Sequence, residues 1–322
     1  MTIVAGLLHH VFEPGFFSSE PVHVAVIVGG VVALVSAVVG VFTVIRGQSF
    51  AGHSLGDVGT TGGSGAFLVG ANPLWGFAIF TILGAGIMEL FAARRPRGRD
   101  LATGIVLGGA LGIAALFLYL GTTETSTTGA TITILFGSMF VIRASTIPVF
   151  VTLAMAALAI VGALYRPLLL STVSSDVAAA RGVPVRRVGI LFLLAMAIAV
   201  SLSCVTIGAI LSTALLIGPA AAALRLTKRP GLALAWAALI GLATTWLGIL
   251  LAYDSFYWPP ARRGWPVSFF VVALVFAVYL LADLASRRTR RHHRAAENPG
   301  GPDARSSGFE ETVVGDSLFG AR

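Results

Sequence analysis

Long apolar stretches separated by short polar segments occupy the chain from residue 22 to residue 285. A helix that spans a bilayer needs roughly 20 apolar residues, with a range of about 17–25. Nine segments meet this requirement and predict nine membrane-spanning helices. In chain order they are Val22–Ile45, Ser54–Val69, Leu74–Ala93, Leu101–Leu120, Ile147–Tyr165, Val188–Ser203, Ile207–Leu224, Leu232–Ala252 and Val267–Leu284.

A tenth apolar stretch, Thr131–Ile142, is too short to cross the bilayer and contains Gly137. Irregular backbone at membrane depth is tolerated only where protein buries it or it lines a cavity. We therefore predict a half-helix or re-entrant segment here. The fold class that follows is all-α, a polytopic membrane helix bundle of about nine spans.

The composition supports a membrane protein. Hydrophobic residues make up 56% of the 322 residues and charged residues only 11%, whereas soluble domains carry about 25% charged residues. The 38 glycines fit this class, because small residues let membrane helices approach closely. Cys204 is the only cysteine in the sequence, which excludes an intrachain disulfide and a CxxC motif.

The placement of Lys and Arg predicts the orientation in the membrane. With nine spans and the N-terminus outside, the cytoplasmic segments carry 19 of the 22 basic residues, and only Arg143, Arg262 and Arg263 lie outside. Cytoplasmic loops are enriched in Lys and Arg, so this orientation is the one expected. The net charge of +8 therefore indicates topology and not nucleic-acid binding.

The pattern divides the chain into three parts. We expect residues 1–21 to form an extracytoplasmic segment, residues 22–285 the transmembrane domain and residues 286–322 a cytoplasmic tail. The tail begins with a basic run at 287–294, which suits anionic lipid headgroups. Its remainder is rich in Gly, Pro, Ser and acidic residues, a composition typical of disorder.

The polar second segment carries the strongest functional signal. An Asp in a membrane helix costs about 2.5–3.5 kcal/mol on translocon scales, so it is a functional candidate by default. His53 and Asp57 stand four residues apart and share one helix face. An imidazole and a carboxylate suit zinc, manganese or ferrous iron, and two ligands make the weak site that conduction requires. The alternative is a His–Asp hydrogen bond that only stabilises helix packing, and the spacing does not separate the two. Further candidates to line the cavity are Ser54, Thr60, Thr61 and Ser64.

The sequence contains no GxSxG, HExxH or Walker P-loop motif. Each of these patterns carries the nucleophile, metal ligands or phosphate-binding backbone of a catalytic site. We therefore do not expect an enzyme, and we do not expect this chain to hydrolyse ATP itself.

Four motifs occur along the chain in a characteristic order. They are Gly-Val-Phe-Thr-Val-Ile-Arg at 40–46 followed by the polar second segment, Leu-Phe-Gly-Ser at 135–138, Tyr-Arg-Pro-Leu at 165–168 with Ala178 and Gly182 downstream, and the stretch 208–223. Together, over roughly residues 20–285, they resemble the integral-membrane permeases of zinc, manganese and iron ABC importers. The last motif is the most specific, because it is similar to the family pattern GxLLxxALLxxPAAxA.

The resemblance implies a type II ABC importer-like permease, the channel-forming subunit for a divalent transition-metal ion. It implies three kinds of partner: a cytoplasmic ABC ATPase, an extracytoplasmic metal-binding protein and a second permease copy. It places the protein in the cytoplasmic (inner) membrane in contact with lipid. No permanently bound cofactor is expected, and the metal ion is the transported substrate.

The resemblance also assigns roles to individual positions. A short cytoplasmic helix near Ser174–Arg181 would couple the permease to the ATPase, and its small residues would seat in a groove of that partner. The coupling candidates are Ser174, Asp176, Ala178, Arg181 and Gly182, and the structural positions of the motifs are Gly137, Gly208 and Pro219.

The chain departs from the family pattern in the second segment. The family usually has an Asp followed four residues later by a His, whereas this chain has His53 followed by Asp57. Thr61 stands where the family has a Pro, and Ser174 stands where the coupling segment usually has an acid. Both ligand types are kept, so a metal site remains the hypothesis and the identity of the ion stays open.

Other functions remain as alternatives. Permeases for iron–siderophore or cobalamin-type chelates resemble this chain in outline but generally have ten spans. An ion-coupled secondary transporter would use Asp57 as a proton or sodium site. A membrane scaffold without transport activity would leave the cost of the polar second segment unexplained.

Overall fold

The computed structural model describes residue 16 and residues 19–94, 99–124, 128–258 and 264–297. This part of the chain forms twelve α-helices and no strand. The helices are α1 (Glu20–Ile45), α2 (Ser49–Leu68), α3 (Pro73–Arg94), α4 (Arg99–Glu124), α5 (Thr128–Phe136), α6 (Ile147–Ala163), α7 (Tyr165–Val173), α8 (Ser175–Ala180), α9 (Val185–Ile207), α10 (Ala209–Leu226), α11 (Pro230–Asp254) and α12 (Val267–Glu297).

Eight of the helices are long and apolar enough to cross a membrane by length and composition: α1, α3, α4, α6, α9, α10, α11 and α12. Helix α2 has 20 residues, which is long enough, but its Gly, Ser and Thr content keeps it out of the apolar set. These nine helices correspond to the nine segments predicted from the sequence. The all-α membrane bundle is thereby confirmed.

Helix α5 is the predicted half-helix, and it has only nine residues. It ends at Phe136 because Gly137 adopts a left-handed backbone with φ of 77°, the usual conformation of a residue that follows a helix C-terminus. The helical part of the tenth apolar stretch is therefore shorter than the stretch itself. Two 3₁₀ turns, Met139–Val141 and Ala144–Thr146, then lead into α6.

Helices α1 and α9 lie at the centre of the bundle. Within the chain, 72% of the apolar membrane-spanning stretch of α1 is buried and 67% of that of α9, compared with 11% of that of α4. The two central helices also share a buried hydrogen bond, with Ser36 Oγ and Ser203 Oγ 2.8 Å apart. Hydroxyl pairs of this kind hold membrane helices together where no water competes.

The residues form two compact units, Met1–Asp283 and Leu284–Arg322. All of the site described below belongs to the first unit. The predicted extracytoplasmic segment at 1–21 lies almost entirely outside the described residues, as does the tail beyond residue 297. The predicted division at residues 22 and 286 stays a prediction.

Candidate functional site

Helix α2 lies inside the bundle because its small residues permit very close packing. A Cβ atom added to Gly62 would overlap the carbonyl oxygen of Gly76 on α3, and one added to Gly76 would overlap that of Gly62. On another side, a Cβ at Gly56 would lie 3.0 Å from the hydroxyl of Ser212 on α10. Backbones can approach this closely only through glycine. The close packing fixes the position of α2 between α3 and α10.

His53 and Asp57 lie one turn apart on α2, as their spacing predicted. His53 Nε2 is 3.4 Å from Asp57 Oδ2. The side chain of His53 is 47% exposed and that of Asp57 17% exposed, so the pair opens to one side of the isolated chain. The imidazole and the carboxylate are therefore within reach of one small cation.

The other ring nitrogen of His53 has a partner on a different helix. His53 Nδ1 lies 3.0 Å from Thr213 Oγ1, on α10. Thr213 was not predicted from the sequence, because it occupies a position that the motif at 208–223 leaves unspecified. No local spacing connects two residues that are 160 positions apart in the chain.

The donor set is small. Among the described residues, no group of three or more His, Cys, Asp or Glu side chains gathers in one place. His53 and Asp57 are therefore the two candidate ligands. Thr213 contacts the imidazole of His53 from the side opposite Asp57. A structural metal centre is usually held by four protein ligands, and the described residues bring together two donors here.

The four predicted cavity-lining residues are buried in the isolated chain. The hydroxyl groups of Ser54, Thr60 and Ser64 donate to the carbonyls of Phe50, Gly56 and Thr60 in the same helix. Thr61 instead donates to the carbonyl of Ala110 on α4, at 2.7 Å. Their hydroxyl groups are therefore satisfied within α2 or by α4, and their role in lining a pathway stays a prediction.

The two glycines of the family motifs meet each other. Gly137, at the end of α5, and Gly208, between α9 and α10, have φ angles of 77° and 95°. A Cβ atom at Gly208 would lie 2.5 Å from the backbone nitrogen of Gly137. The half-helix thus ends against the break between two long helices, and neither position admits a side chain.

Helix α10 continues through Pro219, which is buried. A proline inside a helix removes one backbone hydrogen bond and weakens that turn. One turn earlier, the carbonyl oxygen of Leu216 lies directly against Gly40 of α1, where a Cβ would overlap it. The family motifs at 40–46 and 208–223 therefore pack on each other.

The segment predicted to couple to an ATPase forms two short helices, α7 and α8. Ser174 caps α8, since its hydroxyl accepts a 3.3 Å hydrogen bond from the Val177 backbone nitrogen. Asp176 and Arg181 are exposed and Gly182 has a φ of 78° that ends the turn. Ala178 is fully buried, so Ala179 and Ala180 are the small residues that face outward.

Arg46 connects this segment to the centre of the bundle. Its Nη1 donates to Ser171 Oγ on α7 at 2.9 Å, and its guanidinium lies 5.6 Å from the ring centroid of Phe192 on α9. Phe42, one turn earlier on α1, makes an edge contact with Tyr165, at 5.9 Å between ring centroids. The sequence singled out Arg46 as part of a motif and as a cytoplasmic charge, but not this contact.

A cavity of about 430 Å³ opens at the far end of α2, beyond Leu68. Its walls come from the α2–α3 connection, α5, the segment that contains the two 3₁₀ turns, and parts of α3, α6 and α9. The polar residues among its lining are Asn72, Thr133, Ser138, Arg143 and Thr146. Arg143 places this cavity on the side predicted to be extracytoplasmic.

The described residues therefore form a bundle of membrane-spanning helices that encloses one polar helix, which is the architecture of a polytopic membrane protein. The chain belongs to the ABC 3 transport family, whose sequence profile matches residues 18–282. The family resemblance drawn from the four motifs is thereby confirmed.

Three relatives illustrate the range of the family. The manganese transport system membrane protein MntC of Halalkalibacterium halodurans is 28% identical over 226 residues, which cover 69% of this chain and 76% of that protein. The chelated iron transport system membrane protein YfeC of Yersinia pestis is 28% identical over 287 residues, covering 87% and 94%. The high-affinity zinc uptake system membrane protein ZnuB of Haemophilus influenzae is 24% identical over 236 residues, covering 72% and 88%.

Two solved structures share the fold. PsaBC from Streptococcus pneumoniae, in complex with a Fab, superposes with a TM-score of 0.69 at 22% identity, covering 83% of this chain and 92% of that one. An inward-facing transporter described as metal-chelate type superposes with a TM-score of 0.66 at 19% identity, covering 83% and 87%. At these identities the likeness establishes the fold alone.

Proposed function

We propose that this protein is the channel-forming permease subunit of an ABC importer for divalent transition-metal ions. The observation that carries the proposal is the His53–Asp57 pair, with Nε2 and Oδ2 3.4 Å apart on a helix buried among others. A carboxylate is costly at membrane depth, so one found there is a functional candidate. Family membership and the relatives named for manganese, zinc and chelated iron support the same conclusion.

The metal ion is the substrate and not a resident cofactor. Imidazole nitrogen and carboxylate oxygen together suit zinc, manganese and ferrous iron. Two protein ligands hold such an ion weakly, which allows it to enter and leave on each transport cycle. The reversed order of His53 and Asp57 keeps both donor atoms on the same face of α2, which is compatible with the proposed site.

The cytoplasmic partner in this proposal is an ABC ATPase that contacts α7 and α8. Exposed Asp176 and Arg181 offer charges to it, and the outward-facing Ala179 and Ala180 offer a surface without bulky side chains. Arg46 would transmit movement of α7 to the central helices through Ser171 and Phe192. ATP hydrolysis takes place in that partner and not in this chain.

On the opposite side, an extracytoplasmic metal-binding protein would deliver the ion near the cavity that contains Arg143. A second permease copy would complete the pathway, since the exposed side of His53 has no wall in the isolated chain. The N-terminus lies outside and the C-terminus in the cytoplasm, as the distribution of the 22 basic residues predicts. The tail at 286–322 remains a proposed cytoplasmic segment beside anionic lipid.

The proposal is tested by uptake of labelled Mn²⁺, Zn²⁺ and Fe²⁺ into cells of the source organism in which the gene for this chain is replaced by an unaltered or a variant copy. We expect Asp57→Asn to abolish uptake of the transported ion while the amount of protein in the membrane stays normal, because the neutral amide cannot replace the carboxylate as a ligand. Asp303→Asn is the control, since residue 303 lies beyond the family match. Normal uptake by Asp57→Asn would exclude this pathway site.

A second measurement separates the proposal from a secondary transporter. In membrane vesicles, uptake should require ATP and the ATPase, and it should survive an uncoupler that collapses the proton gradient. Uptake that stops with the uncoupler and ignores ATP would instead assign Asp57 to an ion-coupled transporter.

A further inference from the structure

The Thr213 hydroxyl contacts a side chain of another helix, whereas Thr61, which also bonds outside its own helix, donates to a backbone carbonyl. Ser54 and Thr60 on α2 and Ser212 on α10 each donate to a carbonyl of their own helix. The hydrogen bond that the structure describes for the Thr213 hydroxyl goes to His53 Nδ1, across the interface between the two helices. Serine and threonine in membrane helices commonly donate within their own helix, so a bond to a neighbouring side chain indicates a task outside α10.

The bond to Thr213 leaves the imidazole of His53 held at both nitrogens. Nδ1 is 3.0 Å from Thr213 Oγ1 and Nε2 is 3.4 Å from Asp57 Oδ2. The side chain is otherwise 47% exposed, so these two contacts determine which way the ring faces. With Nδ1 turned towards α10, Nε2 is the nitrogen that faces the carboxylate and the open side.

The chemistry of a metal ligand makes this orientation useful. A histidine that binds a metal ion through Nε2 must be neutral and carry its proton on Nδ1, and that proton needs an acceptor. A hydroxyl group both donates and accepts. Thr213 can therefore accept from Nδ1–H when an ion occupies Nε2. It can equally donate to Nδ1 when Nε2–H faces Asp57.

We propose that Thr213 is a positioning residue that holds His53 with Nε2 towards the ion and supports the tautomer that binds it. This inference rests on the proposed function of the His53–Asp57 pair. Thr213 itself does not touch the ion, and it acts only through the imidazole.

The test compares Thr213→Val with Thr213→Ser in the complete transporter, by the dependence of uptake on the concentration of Mn²⁺, Zn²⁺ and Fe²⁺. Valine keeps the shape of threonine and removes the hydroxyl, whereas serine keeps the hydroxyl. Removal of such an outer-shell partner typically costs 10–100-fold in metal affinity. We therefore expect Thr213→Val to raise the half-saturating ion concentration by about tenfold or more with little change in maximal uptake, and Thr213→Ser to restore it.

Thr244→Val is the matched control. Thr244 is a buried threonine on α11 whose hydroxyl donates to the carbonyl of Ile240 at 2.8 Å, so the same chemical change is made away from the pair. This variant should keep the half-saturating concentration of the unaltered protein. Membrane abundance is measured for every variant.

Three results would overturn the inference. If Thr213→Val behaves like the unaltered protein while Asp57→Asn abolishes uptake, Thr213 has no positioning role and the proposed function stands. If Thr213→Val and Thr213→Ser both lower maximal uptake at an unchanged half-saturating concentration, the role of Thr213 is structural. If the unaltered transporter takes up none of Mn²⁺, Zn²⁺ and Fe²⁺, the proposed function fails and this inference fails with it.

Discussion

Helices α2 and α4 are neighbours rich in glycine, and they differ in what surrounds those glycines. Every glycine of α2 lies against another helix, whereas an added Cβ on the glycines of α4 would meet nothing within 4 Å. Only 11% of the apolar membrane-spanning stretch of α4 is buried in the chain. The glycines concerned are Gly52, Gly56, Gly59, Gly62, Gly63 and Gly65 on α2 and Gly104, Gly108, Gly109, Gly112 and Gly121 on α4.

The comparison shows how a bilayer changes the usual arrangement of a fold. In water the apolar helix would be inside, but in lipid the apolar helix α4 can face outward without cost. The polar helix α2 must be enclosed, because its hydroxyl groups and its carboxylate need partners that lipid does not supply. Enclosure by close backbone packing is also what places His53 beside α10, so the site depends on the small residues around it.

Replacing a covered glycine of α2 should have the largest effect on the amount of folded protein, and replacing an uncovered glycine of α4 should have little effect. In Gly62→Val the new side chain overlaps the carbonyl oxygen of Gly76, and neither backbone can move aside. Overpacking relieved by side-chain shifts costs about 1–3 kcal/mol, but an overlap with a backbone oxygen cannot be relieved in that way, so we expect a larger cost and a large loss of folded protein. Gly108→Val should leave the amount of folded protein unchanged. Fluorescence-detected size-exclusion chromatography in detergent measures both.

Two outcomes would change this comparison. A normal monodisperse peak for Gly62→Val would show that α2 and α3 can separate without loss of the fold. A loss at Gly108 as large as at Gly62 would show that another helix covers α4 in the membrane, as a second permease copy would.

A carboxylate placed on α4 should have the next largest effect. Leu116 is 53% exposed, and Leu116→Asp would set an acid on the outward face, where no partner surrounds it within the described chain. The insertion cost is about 2.5–3.5 kcal/mol for an Asp at a helix centre. We expect a clear fall in the membrane-inserted fraction in a glycosylation-reporter assay, with Leu116→Ala as the control. Full insertion of the Asp variant would mean that α4, like α2, faces a polar interior.

Loss of the hydrogen bond between α2 and α4 should have the smallest effect. Thr61→Val removes the 2.7 Å donor to the Ala110 carbonyl and keeps the side-chain shape. A hydrogen bond contributes about 0.5–1.5 kcal/mol net, so the apparent Tm in detergent should fall by only a few degrees. The control is Thr123→Val on α4, whose hydroxyl donates to the Tyr119 carbonyl in its own helix. Equal shifts in Tm for both variants would show that the Thr61 hydrogen bond does not stabilise the contact between α2 and α4.

Some features follow from local rules and were readable in the sequence. The spans were predicted because bilayer thickness sets helix length, and most observed ends lie within a few residues of those expected. His53 and Asp57 were paired because four residues make about one helical turn. The resemblance implied a short coupling helix near Ser174–Arg181, and α8 forms there with Ser174 as its cap.

Other features depend on contacts between distant segments. The meeting of Gly137 and Gly208, the bond from Arg46 to Ser171 and the contact of Thr213 with His53 each join different helices. Ala178 was expected to face the ATPase, yet it is buried, and Ala179 and Ala180 are the residues that face outward. Such contacts depend on how the helices rotate and approach, which no local spacing determines.

The sequence by itself determined that this chain is a bundle of membrane helices with one polar helix that carries an imidazole and a carboxylate on one face. Hydropathy and helical period are properties of neighbouring residues, so they can be read along the chain. Only the tertiary structure decided which glycines of α2 and α4 are covered and that Thr213 lies behind His53. These depend on the packing of backbones against each other, and that packing arises only when all the helices are in place.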